Sequence, residues 1–138
     1  MSIIFKIFVS CVLYYVLTLI ISLLSCIRVY FSQKITSQEE LEQIVKEEAA
    51  RLGITIPITA TLLSEFNNGG VRKAGDGYEI LVGGFAAKRS VIKHEMYHIH
   101  KKDMENNPNL DGHWLSELRE VFIEQPRANL YDVFGIKL

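Results

Sequence analysis

The hydrophobic pattern divides the chain into two unequal parts. From Ile7 to Ile27 twenty-one residues carry no charge, and about 20 apolar residues cross a bilayer core as a helix. Lys6 and Arg28 bracket the run, and Tyr30 and Phe31 follow it where a headgroup layer would lie. Beyond it the apolar positions become periodic. Leu41, Ile44, Val45, Ala49 and Leu52 recur at helical spacing, with Thr36 or Ser37 as the cap, Glu39 and Glu40 in the first turn and Gly53 as the stop. Ile54–Ile58 alternates and predicts a short edge strand containing Pro57, and residues 61–66 predict a second. Asn67-Asn68-Gly69-Gly70 and Ala74-Gly75-Asp76-Gly77 are turns around a short extended Val71–Lys73. Tyr78–Val82 is the clearest strand, closed by Gly83-Gly84. A helix follows from Phe85 or Lys88 to Lys102, and a last one from Asp111 or His113, kinked at Pro126. The order predicts an α+β protein: residues 1–32 form a transmembrane signal-anchor, and 33–138 a small domain of helix, short antiparallel sheet and two further helices.

Several readings of the first segment stand side by side. The run exceeds an ordinary signal-peptide core, and no A-x-A-like cleavage site follows it, which favours a single-pass anchor over a cleaved signal. Leu23-Leu24-Ser25-Cys26 loosely matches a bacterial lipobox, which would put a lipid on Cys26. Charges on the two flanks are nearly equal, so the side of the membrane faced by the domain is undetermined. Both cysteines, Cys11 and Cys26, lie inside the run, so no disulfide supports the domain. The formal net charge is −1, against a nucleic-acid partner. A domain of this size is at the lower limit for burying a good core, and a bound metal would help to hold it.

The candidate chemistry is His94-Glu95-Met96-Tyr97-His98, an H-E-x-x-H pattern. Two histidines four apart on a helix stack on one face, where both imidazoles reach one Zn²⁺ at about 2.0–2.1 Å. Glu95, at the rim of that face, is placed to act as general base on water and then as general acid towards a leaving amine. His100 points elsewhere, and His113 reads as a cap or surface residue. A third ligand is expected from the last helix. Trp114, Leu115, Leu118, Val121 and Phe122 define its apolar stripe; Glu120 points away from it, Glu117 and Glu124 lie nearer its edge, and Gln125 close to its centre. A bulge before Pro126 would turn Glu124 inward, so Glu124 is the expected ligand and Glu117 the second choice.

Residues Tyr78 to Phe134 resemble the core of gluzincin metallopeptidases, in which H-E-x-x-H and a downstream glutamate bind zinc. The aspartate after the motif, Asp103, is similar to that of HtpX-like membrane peptidases. The strand Tyr78–Val82, the short arm to the motif helix and Ala128-Asn129-Leu130-Tyr131 resemble ImmA/IrrE-type peptidases. In both families the ligand glutamate stands three residues before the alanine; here that position is Gln125, with Glu124 one earlier. The resemblance implies a zincin-like fold and peptide-bond hydrolysis.

The expected function is therefore a membrane-anchored zinc endopeptidase acting on a protein or peptide substrate. Asn129 or Asp103 would orient a ligand histidine, and the strand Tyr78–Val82 would offer an edge for an extended substrate. The alternative is a non-catalytic, zinc-stabilised binding or regulatory module at the membrane, favoured by Gln125.

Overall fold

The computed structural model describes residues 2–64, 67–102 and 120–137. Helix α1 spans Ile3–Phe31, capped by the Ser2 hydroxyl, which accepts from the Phe5 amide. It is long and apolar enough to cross a membrane, and only 6% of its most apolar stretch is buried by the rest of the protein. Helix α2, Gln38–Leu52, begins and ends at the residues its sequence implies. Ser37 Oγ accepts from the Glu40 amide, and Gly53 closes the helix at φ 71°, in the left-handed region that suits glycine. Its buried stripe is Leu41, Ile44, Val45 and Leu52, with one carboxylate, Glu48, set among them.

Three strands form one sheet in the order β1-β3-β2. β1 is Ile58–Leu63, β2 Gly69–Ala74 and β3 Gly77–Gly83. The sheet corrects the expected one in three respects. It is mixed: β2 and β3 are antiparallel, but β1 runs parallel to β3. The first strand begins at Ile58, where the alternating run 54–58 was expected to end. And Tyr78–Val82 lies in the centre, paired on both sides, so the open edges belong to β1 and β2. The cause lies at the mouth of the pair. The Tyr78 amide donates to the Pro57 carbonyl at 3.0 Å, and a Cβ on Gly77 would fall 2.1 Å from that same carbonyl oxygen. Only glycine allows this approach, and the approach sets Ile58 opposite Tyr78.

β3 leads through a single 3-10 turn, Gly84–Ala86, to helix α3, Arg89–Lys101. Gly84 takes φ +55°, and the Asn67 carboxamide oxygen accepts from the Phe85 amide at 2.7 Å, fixing the arm that aims α3. Within the described residues the last helix runs through a π-helical turn, Glu120–Glu124, and continues as α4, Gln125–Phe134. Its expected start near Asp111 or His113 lies outside the described residues. Ile80, Val82, Ile92, Met96, Tyr97 and Tyr131 are almost wholly buried where β3, α3 and α4 meet. Tyr97 stacks on Tyr131, centroids 4.8 Å apart.

α1 is bound to this domain over much of its length. Ser25 Oγ donates to Asp132, Asn129 donates to Ser22 Oγ, the Tyr14 hydroxyl donates to the Phe122 carbonyl, and Arg28 donates to the Val133 carbonyl. The segment after α1 is tied to the start of α3. The Ile35 amide donates to Ala87, Arg89 to Gln33, and the Ser90 amide to Ser32 Oγ.

Candidate metal centre

Helix periodicity brings His94 and His98 onto the face of α3 that looks towards the start of α4. Their Nε2 atoms lie 3.1 Å apart, with the rings 4.8 Å apart between centroids and inclined at 70°. Two nitrogens each about 2.0–2.1 Å from a tetrahedral ion would be separated by about 3.3 Å. The convergence therefore fits a shared cation as well as a hydrogen bond in which one ring donates to the other. His98 is buried and His94 partly so. Burial first, and the neighbouring His98 second, lower the His94 pKa to about 4, against a lift from Gln125. At neutral pH its imidazole is uncharged, the form that binds metal. Glu95 stands beside the pair. Removal from water raises its pKa, and the attraction of His98 partly opposes this, so its carboxyl moves towards the range useful to a general base.

At the third position two neighbouring side chains must be distinguished. The π-helical turn carries Glu124 inward, to 4% exposure. Yet the side chain that meets His94 is Gln125, whose Oε1 lies 3.0 Å from His94 Nε2. Among the described residues no three His, Cys, Asp or Glu side chains gather closely enough to hold a metal. The geometric reason is one residue of helical phase, about 100°, between positions 124 and 125. The sequence carried the signal, since Gln125 falls near the centre of the apolar stripe. Glu117, Asp103 and His113 lie outside the described residues. Zinc thus fits the two imidazoles, while the third donor in contact is an amide oxygen, a weaker partner than a carboxylate.

The other candidates are placed as follows. Asn129, expected to orient a histidine, instead donates to Ser22 Oγ on α1 at 3.3 Å. His100 turns away, its ring 6.0 Å from that of Tyr97. Desolvation and the nearby Lys101 and Lys137 lower its pKa. Sequence reasoning missed the contribution of α1. A cavity of about 420 Å³ beside His94 is walled by Ser22, Cys26 and Tyr30 from α1, by Val91 from α3, and by Phe85 and Asn129. It also missed Glu48, which is buried in α2, ion-paired to Arg51 at 2.9 Å, and accepts from the Tyr131 hydroxyl.

Compared with protein-family models, curated proteins and solved structures, the chain matches none.

Proposed function

We propose that this chain is a single-pass, membrane-anchored zinc endopeptidase. One observation carries the reading: two imidazole nitrogens on α3 converge to 3.1 Å, with Glu95 at their side. His94 and His98 would hold the ion, with Gln125 next to it and Glu124 buried one residue before. When bound, zinc supplies Lewis-acid polarisation of a scissile carbonyl and lowers the pKa of water. Glu95 accepts the proton of the attacking water and returns it to the departing amine. Neutral His94 needs no deprotonation before binding. The cavity shared by His94 and α1 would receive the substrate chain, which favours proteins held at or near the same membrane.

The test uses the full chain in detergent. Glu95→Gln should keep the zinc content and lower cleavage of a casein substrate by about 10²-fold or more. His94→Ala and His98→Ala should each abolish stoichiometric zinc. Zinc retained in both histidine variants, or cleavage undiminished by Glu95→Gln, would end the proposal. A second reading rests on Gln125. An amide beside His94 in place of a carboxylate suits a zinc-stabilised module that docks a partner without cleaving it. Bound zinc, with wild type and Glu95→Gln equally inert on casein, is the outcome that favours it.

A further inference from the structure

A second cavity, of about 190 Å³, lies where the end of α1 meets the first turn of α3. Its walls carry four cationic side chains, Arg28, Arg51, Arg89 and Lys93, together with Ser32, Ser90 and a single carboxylate, Glu48. Three carboxylates answer the three guanidinium groups: Asp132 lies 3.4 Å from Arg28, Glu48 2.9 Å from Arg51, and Glu47 2.6 Å from Arg89. Lys93 has no such answer. It is 8% exposed, and its hydrogen bond among the described residues goes to the neutral backbone carbonyl of Asp132, at 3.2 Å. Ser90 shows a second deficit. It is 2% exposed, and its Oγ finds no hydrogen-bond partner among the described residues. Its amide is already used by Ser32 Oγ. A buried ammonium with no carboxylate in salt-bridge contact among the described residues, held only by a carbonyl and the face of the Tyr131 ring, and an unmet hydroxyl thus face one small polar space at the positive end of a helix.

The missing group should be compact, anionic and rich in acceptor oxygens, which describes a phosphate. Guanidinium groups turned towards the same space suit its tetrahedral oxygens. We propose that this cavity binds a phosphate group. Arg28 immediately follows the uncharged run that ends at Ile27. With α1 spanning, the cavity sits at the headgroup layer, within reach of an anionic phospholipid; free phosphate is the other source. The site is independent of the peptidase reading, since none of its residues belongs to the candidate metal centre.

The test places the full chain in nanodiscs and in a zwitterionic detergent. Lipid retained through detergent purification is counted by mass spectrometry after exposure to phosphatidylglycerol or phosphatidylcholine. Inorganic phosphate is titrated while the thermal midpoint is followed. The expected result is retention of about one phosphatidylglycerol, lowered about tenfold by Arg89→Gln or Lys93→Met and less by Ser90→Ala, each change removing one or more hydrogen bonds to a charged group. The control Lys73→Gln removes an exposed cation that lines no part of the cavity and should change nothing. A phosphate-dependent rise in midpoint without lipid preference, abolished by the same variants, assigns the site to free phosphate. Ser90→Ala guards against misfolding in the charge variants, because it leaves the ion pairs of Arg28, Arg51 and Arg89 intact. No preference for phosphatidylglycerol together with no response to phosphate overturns the proposal. So does an equal loss in Lys73→Gln, which would make the binding a general charge effect.

Discussion

His94 is held uncharged by its surroundings, and this links proton binding to folding. In the unfolded chain its pKa is near 6.5; in the folded protein it is about 4. Between these values the unfolded chain binds more protons, so this stabilisation is complete above about pH 6.5 and is lost as pH falls towards 4. Buried Asp132 and Glu95 have raised pKa values and work in the opposite sense, so the comparison that isolates His94 is wild type against His94→Gln. Denaturant midpoints of the zinc-free protein, followed by circular dichroism, should fall more steeply with acid in wild type. At the adjoining position, Gln125→Glu puts a carboxylate where an amide oxygen now lies 3.0 Å from His94. Zinc affinity measured by chelator competition should rise at least about tenfold. An unchanged affinity would place Gln125 outside the coordination sphere. The pair His94 and His98 was legible from spacing alone, because a helix repeats every 3.6 residues. The choice between positions 124 and 125 was legible only in part: Gln125 falls near the centre of the apolar stripe, but the facing also depends on how many residues the turn before Pro126 contains.

That turn has an identifiable cause at the level of the element. Pro126 has no N–H, so the Phe122 carbonyl loses the partner that an α-helix would give it four residues on. The Tyr14 hydroxyl, from α1, donates to that carbonyl instead. Tyr14→Phe should therefore cost about 0.5–1 kcal/mol of stability by thermal unfolding in detergent, the net worth of a partly exposed hydrogen bond. In a Pro126→Ala background the same change should cost less, since position 126 regains a donor. Equal costs in the two backgrounds would show that Tyr14 acts elsewhere. Other elements divide along the same line between local and distant causes. The limits of α2 were readable because Ser37 and Gly53 act on backbone groups within a few residues. The parallel pairing of β1 was not, because it is decided between Pro57 and Gly77, residues far apart in sequence whose close approach no local pattern announces. The buried Glu48 likewise makes sense only once Tyr131 and Arg51 are beside it.

For the molecule as a whole, the decisive joint is between α1 and the domain. Asp132 is wholly buried; its pKa is raised by removal from water, which Arg28, Lys93 and Ser25 partly offset. Arg28→Met should lower stability by about 1–2 kcal/mol by leaving a buried carboxylate less compensated, the half-exposed guanidinium being partly screened by solvent. Adding Asp132→Asn should recover most of that loss, because the amide carries no charge to be balanced. Unfolding curves for the two variants in detergent check both statements, and a double variant no better than Arg28→Met would remove the electrostatic account. The long apolar helix α1 was itself evident in its uncharged run. Its service as a wall of the domain was not, since Tyr14, Ser22 and Ser25 look ordinary until their partners are known.

Those partners fall at a nearly constant offset. Tyr14 meets Phe122, Ser22 meets Asn129, Ser25 meets Asp132 and Arg28 meets Val133, at separations of 108, 107, 107 and 105 residues. Two helices advancing in step like this run side by side in the same direction. With α1 upright in a bilayer, Phe122 then stands level with the hydrocarbon interior. His94 then lies across a cavity from Cys26 on the flank of α1, at a set height instead of on a swinging leash. Under the proposed function, a substrate would have to be offered at that one depth, so position relative to the lipid surface would select substrates before any side chain is read.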